Sequence, residues 1–113
     1  MKKYLVIGNP ISHSLSPELH NHWIKQNNIN AIYEKEKLNY DELKNLILDI
    51  KKEKIHGANI TVPFKHAVIT HLDELSDEAK KTQSVNTISL KNKKVVGYNT
   101  DIEGFIMAIK KII

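Results

Sequence analysis

Cysteine is absent from the 113 residues, and so is arginine. Without cysteine the chain can make no disulfide and no thiolate metal site, which leaves a cytoplasmic protein as the expectation. Without arginine all seventeen cations are lysines, so no guanidinium fork is available for bidentate readout of guanine or phosphate. Aromatic residues make up only 6% and offer few platforms on which bases could stack. The net charge of +4 therefore reads as lysine-rich surface and not as a nucleic-acid footprint, with Lys51, Lys52 and Lys54 on a solvated face and Lys91, Lys93 and Lys94 at a turn tip. No apolar run reaches the roughly 20 residues of a membrane span. The opening MKKYLVIGNP turns polar too soon for a signal peptide, so no membrane association is expected. Glycine is scarce too. The four, at 8, 57, 97 and 104, are too scattered for GxGxxG or a P-loop, and no phosphate cradle is visible. The length suits one domain with a real core, too small for a two-domain enzyme.

The stretch that organises what is present is HGANITVPFK, residues 56–65. Ala58, Ile60 and Val62 alternate with Asn59 and Thr61, which is strand rhythm with the polar pair on the opposite side. Pro63 ends the ladder and suits a helix start, so Lys65 falls just past a strand's carboxyl end. In open α/β sheets ligands bind at that edge, and here it carries an amide, a hydroxyl and an ammonium.

Residues 3–8 (KYLVIG) form a nearly continuous apolar run, the pattern of a central strand buried on both faces. The segment NPISHSLSPELHNHW follows, in which Ser16 is expected as N-cap and Pro17 as first helical residue, with Leu19 and Trp23 on the buried face. Ser14 and Ser16 then lie at a helix N-terminus, where free N–H groups favour an anion such as a carboxylate. The same two serines serve equally well as turn and cap. Residues 31–38 carry alternating charges and suit an edge strand. Asn39 can cap the next helix, whose Leu43, Leu46, Ile47 and Ile50 make a core-facing stripe. A short helix continues over residues 66–69, and another begins at Ser76 with Asp77 and Glu78 in its first turn. Residues 86–90 and 95–98 are two strands around KNKK, and the second leads into a helix with Thr100 and Glu103 at capping-box spacing. Asp101 falls in its first turn, where it also complements the helix dipole. Ile102, Phe105, Ile106, Ile109 and Ile113 give that helix an apolar face, and its bare KKII end reads as a chain cut within a linker helix. The expected fold is α/β: a mostly parallel open sheet with helices on both faces, three βα units, a β-pair and a C-terminal linker helix.

Other chemistries find little support. His20 and His22 point to different sides of a helix, with no HExxH motif, so no metal site is expected. His13, adjacent to Ser14, cannot reach it as a base, and no GxSxG elbow exists.

The blocks GNPISHSLSP followed by HN, then GANITVPFK, SVNT and GYNTDIEGF, resemble in order and spacing the signature of shikimate dehydrogenase. The likeness covers the whole of residues 1–113 as that family's substrate-binding domain and implies a C-terminal NADP-binding domain outside this chain. One departure is clear: where the family usually has Gly-Ala before VNT, this sequence has Gln83 and Ser84. The resemblance implies an oxidoreductase that reversibly reduces 3-dehydroshikimate to shikimate with NADP, on the route to aromatic amino acids. It implies that Ser14 and Ser16 hold the substrate carboxylate, while Asn59, Thr61, Lys65, Asn86 and Asp101 address the ring hydroxyls and the reacting carbonyl. Lys65 and Asp101 would form the catalytic dyad, and Asp77 would lie near the cofactor. Expected partners are the small-molecule substrate and the dinucleotide-binding domain, with room for a homodimer. The fragment by itself would be inactive. Two alternatives remain open, a quinate/shikimate dehydrogenase and a stand-alone module that binds a polyhydroxylated carboxylate.

Overall fold

The structure, a computed structural model, describes residues 1–12 and 14–101. The first apolar run forms β1 (Lys2–Gly8), and its Leu5, Val6 and Ile7 are at most 2% exposed. Strand β2 (Ala31–Lys37) pairs with it in parallel on one side and β3 (Gly57–Ile60) in parallel on the other. As its charge pattern predicts, β2 lies at the sheet edge, and only Tyr33 within it is fully buried. Strand β3 is shorter than the alternation suggests. It ends at Ile60, because the Thr61 N–H turns to the Ile7 carbonyl and the Phe64 N–H returns to the Thr61 carbonyl. Val62, expected inward, is consequently exposed.

Beyond β3 the sheet continues with a two-residue strand absent from the sequence reading, β4 (Glu74–Leu75), and with the expected pair β5 (Thr87–Lys91) and β6 (Lys94–Tyr98). The spatial order is β2-β1-β3-β5-β6-β4. β5 runs antiparallel to both neighbours and the other pairings are parallel. Asn92 and Lys93 link the β5–β6 hairpin with φ of 52° and 65°, the left-handed pair that matches strand twist in a two-residue turn.

Helices cover both faces. Helix α1 (Ser16–Gln26) follows β1, α2 (Leu43–Lys51) follows β2, and the single turn α3 (Phe64–Ala67) follows β3. Helix α4 (Asp77–Thr82) is capped by Ser76, whose Oγ accepts from the Ala79 N–H at 3.2 Å. On one face Leu43, Leu46, Ile47 and Ile50 of α2 join Phe64 and Val68 against Leu5, Ile7, Ala58, Ile60 and Ile88. Each such side chain contributes about 1.5–3 kcal/mol when fully buried. Asn39 does cap, though it starts a 3-10 turn (Tyr40–Glu42) ahead of α2, with its own N–H donating to Glu42 Oε1 at 2.8 Å.

The opposite face holds a smaller core of Val6, Ile11 and Tyr33, with Tyr4 and Ile24 against it. Here two expectations fail. Leu19 and Trp23 are not on the packed side of α1; they are 70% and 58% exposed. The rotation of α1 is set instead by Asn21, whose Nδ2 donates to the Tyr33 carbonyl at 2.7 Å while its Oδ1 accepts from the Tyr33 N–H at 2.9 Å. That clip turns Pro17, Asn21 and Ile24 toward the sheet and satisfies the open edge of β2 at Tyr33. Ser16 is not the N-cap either: Leu15 holds that position and the Ser16 N–H donates to Ser14 Oγ at 3.3 Å. His13, Glu103 and the apolar positions Ile102, Phe105, Ile106, Ile109 and Ile113 lie outside the described residues.

Candidate functional site

Sheet polarity gathers the candidate residues at one edge. β1 and β3 are parallel, β5 is antiparallel to β3, and β6 is antiparallel to β5. The carboxyl ends of β1, β3 and β6 therefore meet the amino end of β5. Between β1 and β3 the strand order also reverses direction, the switch point where open α/β sheets leave a crevice for ligands.

The loops leaving β1 and β3 are bound together. The Asn9 N–H donates to the Val62 carbonyl at 3.0 Å, and the Thr61 N–H to the Ile7 carbonyl at 2.8 Å. The Thr61 hydroxyl donates to the same Ile7 carbonyl at 3.0 Å. Its place is reserved by Gly8, where an added Cβ would collide with Thr61 Oγ1. Ser14 and Ser16 lie half-buried on the β1 loop and at the start of α1. No hydrogen bond joins either serine to the residues of the other strand ends among the described residues.

Lys65 stands in the first turn of α3, beside the fully buried Phe64. Its carbonyl accepts from the Val85 N–H at 2.8 Å, which fixes α3 against the segment leading into β5. From there the ammonium reaches across to Asp101, with Nζ 3.5 Å from Oδ2. The lysine side chain is 38% exposed and the aspartate 68%, so the pair opens to solvent and to any ligand at the sheet edge.

Asn86 connects these parts. It is 8% exposed, and its backbone bridges strands: the carbonyl accepts from Ile60 and the N–H donates to the Tyr98 carbonyl. Its Oδ1 accepts from the Thr100 N–H at 3.0 Å, the Thr100 hydroxyl at 3.1 Å and the Thr87 hydroxyl at 3.0 Å. Three donors on the oxygen place Asp101 one residue beyond a clamped Thr100. They also leave Nδ2 as the polar end without a hydrogen bond among the described residues. Asn59 is half-buried and engaged at both ends, its Oδ1 accepting from the Tyr33 hydroxyl at 2.7 Å and its Nδ2 donating to Thr87 Oγ1 and the Asn86 carbonyl.

Lys65, Asp101, Asn86, Thr61 and Asn59 are thus joined directly or through one intermediate, whereas Asp77, exposed at the start of α4, makes no hydrogen bond or ion pair with them among the described residues. Thr87 and Tyr33 are polar partners of Asn59 that the sequence pattern does not single out. The available signals were the position of Thr87 next to Asn86 and the lone aromatic in an otherwise charged edge strand. Among the described residues no group of histidines and carboxylates could hold a metal ion, and no helix is long and apolar enough to cross a membrane.

A model of the family described as "Shikimate dehydrogenase substrate binding domain" matches residues 6–88. The chain belongs to that family. A shikimate dehydrogenase (NADP(+)) of Pelagibacter ubique is 61% identical over 110 residues, which is 97% of this chain and 42% of that protein. Shikimate dehydrogenase from Aquifex aeolicus superposes with a TM-score of 0.86 at 42% identity, covering 100% of this chain and 42% of the other. The Thermus thermophilus shikimate 5-dehydrogenase, solved with NADP(H) and shikimate, gives 0.87 at 32% identity over 98% of this chain and 42% of its own. The chain therefore spans about two fifths of the length of these relatives. Within this shikimate dehydrogenase domain, the Gln83 departure falls on a left-handed residue, φ 53° and ψ 37°, at the end of α4. A glycine would adopt that conformation freely. Here the Gln83 amide donates to the Lys80 carbonyl at 2.7 Å, closing the helix end in its place.

Proposed function

We propose that this chain is the substrate-binding half of an NADP-dependent shikimate dehydrogenase, acting on 3-dehydroshikimate and shikimate in aromatic amino acid biosynthesis in the cytoplasm. The observation that carries the reading is the Lys65–Asp101 pair, 3.5 Å apart at the switch-point edge, with the Asn86 carboxamide beside it. Shikimate is a cyclohexene with one carboxylate and three hydroxyls. Ser14 and Ser16 would donate to the carboxylate near the start of α1, while Thr61, Asn59 and the Asn86 Nδ2 would sort the ring hydroxyls. Hydrogen bonds to a charged group contribute about 1.5–3 kcal/mol each, so several together support micromolar binding after the cost of association.

Reduction of the carbonyl leaves alkoxide charge that must be neutralised. The Lys65 ammonium is the proton donor in this reading, and Asp101 keeps it oriented. In the reverse direction the neutral amine takes the hydroxyl proton. NADP, when bound, supplies or accepts the hydride. The scattered glycines of this chain form no cradle for its phosphates, so the cofactor is assigned to the length that the relatives have and this chain lacks, with Asp77 approaching it from this side.

Calorimetric titration of the chain with shikimate tests the reading. Saturable binding that Lys65→Ala and Asp101→Asn each weaken about tenfold or more is expected. Absence of heat both for this chain and for the chain extended to its relatives' full length would refute it. Equal affinity for quinate would favour the broader quinate/shikimate activity.

A further inference from the structure

The backbone N–H of Thr100 can only donate, so the Asn86 atom that faces it at 3.0 Å is the oxygen. The Thr87 hydroxyl, 3.0 Å from that same oxygen, must therefore give it its proton. Thr87 Oγ1 is then free to accept, and its donor is Asn59 Nδ2 at 3.2 Å. A second constraint fixes Asn59 the same way, because its Nδ2 also lies 3.4 Å from the Asn86 carbonyl, which can only accept. With the nitrogen turned inward, Asn59 Oδ1 faces β2, and the Tyr33 hydroxyl must donate to it at 2.7 Å. The chain of protons runs in one direction from Tyr33 to Asn86, and each link leaves its members no alternative orientation.

The path follows one face of the sheet. Val6 of β1 is in register with Asn59 of β3, and Asn59 with Thr87 of β5. Tyr33 on β2 reaches over β1 to join them, with its ring among Val6 and Ile11 and stacked on His20 at 4.1 Å between centroids. Asn21 holds the same tyrosine by its backbone. Burial pushes the Tyr33 hydroxyl up to about 12, so it stays a donor at any physiological pH.

The geometry points to Tyr33 as a positioning residue: through Asn59 and Thr87 it braces the Asn86 carboxamide in the orientation that the Thr100 N–H selects, which keeps Nδ2 as the end presented to a ligand hydroxyl. This rests on the substrate reading above for the identity of the ligand, while the relay itself stands on the contacts within the chain. Tyr33 lies on the edge strand, on the far side of β1 and β3 from Asn86, and needs no contact with the ligand to act.

Tyr33→Phe removes the hydroxyl and keeps the ring. Thr87→Val breaks the next link, and Thr87→Ser restores it. In nuclear magnetic resonance spectra of the 113-residue chain, Tyr33→Phe and Thr87→Val should shift the Thr100 amide and the Asn86 side-chain amide and speed Thr100 hydrogen exchange by about tenfold. Thr87→Ser should return all three toward wild type, a recovery that a purely packing role for these residues would not produce. In calorimetry with shikimate, Tyr33→Phe should weaken binding about five- to tenfold. Unmoved Thr100 and Asn86 signals in a folded Tyr33→Phe chain would overturn the inference, as would shifted signals with shikimate affinity unchanged. If wild type bound no shikimate even at full length, the substrate reading would fall. The spectra would then decide on their own whether Tyr33 braces Asn86.

Discussion

The Thr61 hydroxyl occupies the space that a side chain on Gly8 would need, and it donates from there to the Ile7 carbonyl at 3.0 Å. Gly8 is thus chosen by its neighbour on β3, for its φ is not positive. Alanine at this position would lower the entropy of the unfolded chain, a gain of about 0.4–1 kcal/mol. The clash outweighs it, because the Thr61 side chain is short and the Val62 carbonyl closes the other side at 3.3 Å, so overpacking of about 1–3 kcal/mol is expected. Chemical denaturation should place Gly8→Ala below wild type. Adding Thr61→Ala should recover part of the loss, and a strictly additive double variant would contradict this contact.

Lys65→Ala separates function from stability. The pair with Asp101 is 3.5 Å long and open to solvent, and exposed pairs contribute about 0–1 kcal/mol. The unfolding midpoint of Lys65→Ala should stay close to wild type while shikimate binding falls about tenfold or more. Thermal melts alongside titration check both halves. A large drop in the melting midpoint would show that Lys65 serves the fold.

The parts of this architecture that were legible in the sequence are those where side-chain pattern alone decides. The apolar run of β1, the stripe of Leu43, Leu46, Ile47 and Ile50, and the charged edge strand all follow from burial. Lys65 also stands at a sheet edge, as the Pro63 signal implies, although β3 already ends at Ile60. The rotation of α1 was not legible, because a polar clip from Asn21 to a backbone 12 residues away outweighed the apolar spacing of Leu19 and Trp23. β4 is not legible for a related reason. Its two residues owe their place to β6 across the sheet, with no pattern of their own. The Tyr33 relay is likewise invisible in one dimension, as its members come from three strands.

Gln83 ends α4 in a left-handed conformation, φ 53°, where the family usually has glycine. A side chain with a Cβ pays roughly 1 kcal/mol there, partly offset by the bond from its amide to the Lys80 carbonyl. Gln83→Gly should raise stability by a few tenths to about 1 kcal/mol, and Gln83→Val should lower it, since a β-branched residue tolerates positive φ least. Both are measured by denaturant unfolding. A more stable valine variant would be incompatible with the left-handed geometry.

Acid sensitivity should concentrate at Asp73. Its Oδ2 accepts from the Val95 N–H at 2.9 Å and lies 3.5 Å from Lys51 Nζ. The backbone hydrogen bond first, and the lysine charges after it, hold the carboxyl below its ordinary value of 3.8 despite some desolvation. In the unfolded chain the group regains that ordinary value and binds its proton at higher pH than the folded chain does. Stability from this contact is therefore fully present above the unfolded value and is lost as pH falls through the lower, folded one. Asp73→Asn keeps an oxygen for Val95 but no charge, so it should be less stable than wild type near neutral pH and approach it as the pH falls through the folded value. Denaturant midpoints across that range decide the matter. A difference between the two proteins that stayed constant with pH would mean that Asp73 contributes through its shape and not through its charge.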